Sequence, residues 1–185
     1  MEFNKPVSNP MLLGCIELMK EEDTPEHREM FAAEFMKASF LAPAVVDPVP
    51  TVNEEGEEVI AQGSKIHFPM LGAPDGKRLF VAFTDRKEYD AWCEKNGYLP
   101  CFTLKMEDYG QMLLMKNPMG ELSPAIGLVI NPLSTNLVVS REMVANLMTR
   151  KMMANPGMRA MMQAAAQQKA AAEAAQAAEA GATEE

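Results

Sequence analysis

Apolar residues fall into helical spacing as soon as the chain passes Asn9-Pro10, with Leu12, Leu13, Ile16 and Met19 recurring along one side. Proline at the first helical position sacrifices no hydrogen bond, and Asn9 is the residue type that caps such a start. Thr24-Pro25-Glu26 repeats the signal: Glu26 and Glu29 sit near the positive helix end, and Phe31, Phe35 and Ala38 mark one buried stripe. This second helix is expected to stop before Pro43. A short apolar run, Ala44-Val45-Val46, follows. Pro48, Pro50 and the polar stretch 53–58 then predict an exposed loop or hairpin tip.

From Lys65 to Leu71 the period changes to two, with Ile66, Phe68 and Met70 on one face, and Arg78 to Phe83 is a second strand pattern. Ala73-Pro74-Asp75-Gly76 between them is a tight turn, so the pair predicts an antiparallel hairpin. Asp85 is placed to cap a helix with Glu88 three residues on; Tyr89, Trp92 and Cys93 give it an apolar side, and Gly97 ends it. Cys101 to Leu104 reads as a short strand and Glu107 to Met115 as a helix ended by Asn117-Pro118. Ile126 to Ile130 and Leu137 to Val139 flank a turn and predict a second hairpin. Ser140 caps a last core helix running through Val144, Leu147 and Met148 to about Met153.

The order of elements predicts an α/β fold of α+β character: a mixed sheet of about five strands with antiparallel hairpins, flanked by helices. Asn155-Pro156-Gly157 breaks the pattern, so the expected organisation is a domain over 1–153 and an Ala/Met-rich helical tail over 154–185. Met158 to Ala180 is dominated by alanine, which favours helix but offers little surface to bury, and Gly181 to Glu185 is expected to be disordered.

At 185 residues, the chain has room for one well-buried core. Its formal charge of −9 argues against nucleic acid or anionic lipid as a partner, since both are negative. Residues 1–60 carry 13 acidic and 4 basic side chains, which makes the N-terminal third acidic. Basic residues gather later, as Arg141, Arg150, Lys151, Arg159 and Lys169. No basic and apolar leader opens the chain, and no apolar run reaches the roughly 20 residues that span a bilayer. A soluble, cytoplasmic protein without a membrane partner is the expectation.

Five features appear in an order that resembles the N-terminal domain of the SseB family, named after the bacterial enhanced serine sensitivity protein. They are Asn9-Pro10 opening a helix, a helix ending in Ala38-Ser39-Phe40-Leu41-Ala42-Pro43, and the strand Ile66-His67-Phe68-Pro69-Met70 with Asp75-Gly76 in its turn. The remaining two are Leu79-Phe80-Val81-Ala82-Phe83-Thr84-Asp85 leading into a helix, and Gly127-Leu128-Val129-Ile130-Asn131-Pro132. The resemblance covers about residues 9–153 and implies this domain's fold. A second C-terminal domain, present in longer members, is replaced here by the Ala-rich tail. The family brings no catalytic activity to carry over.

The residues themselves point away from catalysis. Cys15, Cys93 and Cys101 form an odd set without CxxC spacing, His67 has no carboxylate at motif spacing and His27 is expected in an exposed first helical turn, so neither a disulfide framework, a metal site nor an activated thiol is expected. Glu54, Glu55, Glu57 and Glu58 lie in a loop too mobile to position a proton. The glycines assemble no phosphate-binding string, and no cofactor is expected. Methionine is the unusual component, 17 in all. Met148, Met152, Met153, Met158, Met161 and Met162, with Arg150 and Lys151, are the candidate partner surface, because thioether side chains repack against varied apolar surfaces. The bland alternative is that these methionines dock the last helix onto the core. A non-enzymatic interaction or regulatory module, binding an unidentified protein through a helical or sheet-edge surface, is the leading expectation. A small-molecule binder or enzyme with a sheet-end pocket near Asp75 and Thr84-Asp85 is the alternative, and self-association through the tail stays open.

Overall fold

The computed structural model describes residues 2–56, 58–72 and 75–157, together with Arg159, Ala160, Ala164 and Gln167. The chain forms two compact units, Met1–Ala145 and Asn146–Glu185. In the first unit, β1 (Glu2–Phe3) precedes two helices, α1 (Pro10–Glu21) and α2 (Pro25–Phe35). Then come β2 (Ser39–Pro43), β3 (Val45–Asp47), β4 (Thr51–Val52), β5 (Glu58–Val59), β6 (Lys65–His67), β7 (Met70–Gly72) and β8 (Arg78–Ala82). Helix α3 (Arg86–Asn96), β9 (Cys101–Lys105), α4 (Met106–Leu114), β10 (Ala125–Ile130), β11 (Leu137–Ser140) and α5 (Arg141–Ala154) complete the order.

The strands form a four-stranded sheet ordered β11-β10-β8-β7, a three-stranded sheet ordered β1-β9-β2, and two short ribbons, β3-β6 and β4-β5. Strands β8 and β10 run parallel while β11 and β7 are antiparallel to their neighbours, so the larger sheet is mixed, as expected. Leu41 and Phe83 exchange two main-chain hydrogen bonds of 2.9 Å, which stitches β2 onto the end of β8 and makes the two sheets continuous. Both expected hairpins are present, as β7-β8 and β10-β11. The loop over 53–56 is the tip of the β4-β5 ribbon.

Alternation along the central strands divides the core into two faces. Leu41, Leu79, Val81, Phe83 and Val129 point to one side, where Tyr89 and Trp92 of α3 cover them. Phe40 points to the other and joins an aromatic series, Phe31 to Phe35 to Phe40 to Tyr109, contributed by α2, β2 and α4. Helix α3 starts as its sequence predicts: the Asp85 carboxylate accepts from the Glu88 N–H at 3.0 Å, and Gly97 ends it at φ +88°. Ser140 caps α5 by accepting from the Met143 N–H at 3.1 Å.

Three local expectations are corrected. Ser39–Pro43 is a central strand, β2, whereas the sequence pattern extended the second helix toward Pro43. Phe40, Leu41 and Ala42 are covered on both faces, and such an uninterrupted apolar run has no period that separates helix from strand. Lys65–Leu71 is not one strand: β6 pairs with β3, and only the part beyond Pro69, which lacks the N–H a ladder needs, pairs with β8. Asn9 precedes α1 without capping it, because its side chain is engaged elsewhere.

In the second unit, α5 ends at Ala154, and the Arg159 guanidinium donates to the Met153 carbonyl at 2.9 and 3.1 Å, satisfying a last-turn acceptor. Apart from the four residues named above, the Ala-rich helix expected over 158–180 and the disordered end expected over 181–185 lie outside the described residues. Among the described residues, no helix is long and apolar enough to cross a membrane.

Candidate functional site

Two places in the first unit gather residues from several elements. The first is polar and lies at the carboxyl ends of β8 and β10, where parallel strands commonly present ligand crevices. Asn131 is almost fully buried at φ +46°, a conformation asparagine tolerates better than most residues. Its side-chain oxygen accepts from the Thr84 N–H at 3.0 Å and its amide donates to Thr84 Oγ1 at 2.8 Å; Thr84 Oγ1 in turn donates to Asp85 Oδ2 at 2.9 Å. The Asn9 amide donates to the carbonyls of Ser39 and Thr84, both at 2.7 Å, tying the entry to α1 onto β2 and β8. Ser134 Oγ donates to Glu88 Oε2 at 2.7 Å on the rim. Each residue of this hub has a hydrogen-bond partner inside the protein, so the hub fixes the strand ends.

The second place is an apolar cleft of about 460 Å³. Helix α1 supplies Ile16, Met19 and Lys20, the α1-α2 turn Asp23, and α2 Arg28 and Phe31; Thr135, Asn136 and Leu137 come from the turn into β11, and Met143 from the first turn of α5. Ile16, Phe31 and Leu137 make the walls for a sequence reason: the helical stripe of α1 and α2 and the two-residue period of β11 all turn to the same side of the sheet. At the rim, the Arg28 guanidinium forks onto Asp23 at 2.6 and 2.5 Å and Lys20 meets Glu17 at 2.7 Å. The guanidinium holds the Asp23 carboxyl below its ordinary pKa of 3.8, and Asp23 raises that of Arg28. Both pairs are exposed, and such pairs contribute little net energy, so their charges can be shared with an incoming group.

The residues singled out from sequence fall elsewhere. Met148 is half-buried on α5, while Met152, Met153, Arg150 and Lys151 lie exposed along its last turns. Met158, Met161 and Met162 lie outside the described residues. The two parts of the expected sheet-end site, Asp75 and Thr84-Asp85, lie at opposite ends of β8. Asp75 precedes the start of β8 and Thr84 follows its end, and an extended strand of five residues separates them.

Cysteines behave as core or boundary residues, as expected: Cys15 and Cys101 are buried and Cys93 is half-buried. Burial pushes the Cys101 thiol up to about 11, which keeps it protonated and unreactive. His67 is exposed on the face opposite Ile66, and His27 Nδ1 lies 2.6 Å from the Glu22 carbonyl. Among the described residues, no three His, Cys, Asp or Glu side chains are grouped to hold a metal. Asn9 and Asn131 were legible only as turn and cap residues, although each sits next to a proline at an element boundary, where a buried amide most often finds loose main-chain groups.

A family model for the SseB protein N-terminal domain matches residues 14–146. The chain belongs to the SseB family. The matched segment of the SseB domain contains the whole cleft and every hub residue except Asn9. No curated protein and no solved structure matches the chain significantly.

Proposed function

We propose that this SseB domain is a cytoplasmic, non-enzymatic interaction module that receives another protein at the cleft between α1, α2 and β11. The observation that carries this reading is the contrast in saturation. The polar groups at the strand ends are paired internally, whereas the apolar cleft stands open beside an exposed strand edge. Its lining holds neither thiol nor imidazole, and its charged residues sit at the rim, an arrangement suited to recognition more than to proton transfer. The exposed Met152 and Met153, with Arg150 and Lys151, are a second proposed contact surface, whose adaptable thioethers fit a protein partner.

The test is site-specific photo-crosslinking in cells, with a benzophenone amino acid placed at Met19, at Met152, or at Val59 as a control. A discrete adduct from Met19 and none from Val59 supports the cleft reading. Identical products from all positions, or none, would overturn it. A second reading, a small-molecule site, is favoured by the volume of the cleft, which lies within the roughly 300–1,000 Å³ typical of ligand pockets. A metabolite that raises the melting temperature of the unmodified chain, but not of a Met143→Trp variant, would favour it.

A further inference from the structure

We infer that Asn96-Gly97, at the carboxyl end of α3, is a site of spontaneous covalent modification that the helix cap holds latent. Opening of the last turn lets Asn96 lose ammonia and become aspartate or isoaspartate. The chemistry starts from the sequence. An asparagine side chain is attacked by the main-chain nitrogen of the next residue, most readily where that residue has no side chain in the way. Of the nine asparagines in the chain, Asn96 alone precedes glycine, whereas Asn9, Asn117, Asn131 and Asn155 precede proline, whose nitrogen carries no proton to lose. In the reaction the Gly97 nitrogen gives up its proton and bonds to Cγ of Asn96, and the Cγ–Nδ2 bond breaks to release ammonia. Water then opens the cyclic imide at either carbonyl. No oxidation or reduction is involved, and water is the one added reactant.

Both residues are exposed to solvent, yet both reacting groups are occupied. The Gly97 N–H donates to the Cys93 carbonyl at 2.8 Å, and Asn96 Nδ2 donates to the Trp92 carbonyl at 2.9 Å. Asn96 is the last helical residue, so its backbone points the Gly97 N–H back along the helix axis toward Cys93. Attack therefore requires both bonds to part, an opening expected of an exposed helix end. Tyr89 and Trp92, in the preceding turns, are buried and need not move. The product does not close the cap again. Aspartate sets a carboxylate against the Trp92 carbonyl at the negative end of the helix, and isoaspartate adds a main-chain carbon between positions 96 and 97, displacing the Gly97 N–H from its acceptor. The loosened joint is the one leading into β9, where the Tyr89 hydroxyl donates to the Leu99 carbonyl and that of Tyr98 to Glu58 at 3.1 Å.

The experiment ages the full chain, native and unfolded in urea, beside a synthetic peptide of residues 92–101, in mildly alkaline buffer made with heavy-oxygen water. Peptide mapping reads isoaspartate and incorporated heavy oxygen at each asparagine, and hydrogen exchange reads the Gly97 amide. The inference expects Asn96 to be the first asparagine modified in all three samples. It expects the native chain to react about tenfold more slowly than the peptide, because two hydrogen bonds must open first, and urea to restore the peptide rate. In the aged native chain the Gly97 amide should exchange faster, while that of Val129 in β10 is unchanged. Equal rates in native chain and peptide, or a urea-unfolded chain as slow as the native one, would overturn the inference. So would another asparagine reacting first, no isoaspartate at position 96 in a native chain whose Gly97 amide exchanges, or unaltered Gly97 exchange after modification.

Discussion

The polar hub at the ends of β8 and β10 and the apolar cleft beside β11 lie in one domain, yet they answer opposite physical demands. In the hub, Asn9, Thr84 and Asn131 bond to one another and to nearby main chain, and the burial of Thr84 and Asn131 makes the bonds between them costly to lose. In the cleft, buried Ile16 and Phe31 stand beside half-buried Met19, Leu137 and Met143, and the charged neighbours are loosely paired at the surface. Buried asparagine is therefore weak evidence for a binding site here.

The contrast can be broken most forcefully at Asn131. Asn131→Ala should cost about 3 kcal/mol in urea unfolding, because it strands the Thr84 N–H, removes the amide that donates to the Thr84 hydroxyl and forces alanine to positive φ. Met143→Ala, in the half-open cleft, should cost under about 1 kcal/mol. Equal costs would erase the distinction. At the next level, Gly127→Ala would place a Cβ 2.2 Å from the Val139 carbonyl, so β10 and β11 must separate, at about 2 kcal/mol. Faster hydrogen exchange at Val138 and Val139 would report it, and an unchanged β11 would show the clash relieved elsewhere.

Titration offers two finer tests. Cys101 has its folded pKa raised from an ordinary 9.0 to about 11, so its contribution is complete below pH 9 and is lost as pH rises toward 11. Cys101→Ala should delay the onset of alkaline destabilisation toward pH 10, where the buried hydroxyls of Tyr89 and Tyr109 take over. At the cleft rim the sign reverses: Asp23 has a lowered pKa, so any stability it adds is present above pH 3.8 and lost as pH falls through the lower folded value. Because that pair is fully exposed, acid melts of the native chain and Asp23→Asn should nearly coincide. A clear difference would mean the rim is less open than its geometry shows.

Much of the frame was readable from residues. Asp85 with Glu88, the Gly97 stop, Ser140 before α5, and both hairpins follow from capping and turn chemistry, which acts over a few residues. What escaped is set by distant partners. Phe40 to Ala42 became a strand because β9 and Phe83 flank it, and the parallel pairing of β10 with β8 has no local signature. The cleft is harder still, since Ile16, Phe31 and Leu137 each carry an ordinary core pattern. Only their assembly shows that they line one cleft. Methionine density drew notice to α5, but abundance of a residue type does not reveal a concavity.

The reach of the Asn9 amide, like the pairing of β1 with β9, extends this domain ahead of the segment that marks its family. Its two carbonyl partners lie 30 and 75 residues away, yet Asn9 itself stands five positions ahead of the segment that marks the family. Trimming a protein of this kind to its recognisable stretch would thus leave two acceptors at the strand junction without their donor, and poor yield of such a fragment would reflect where the cut was made.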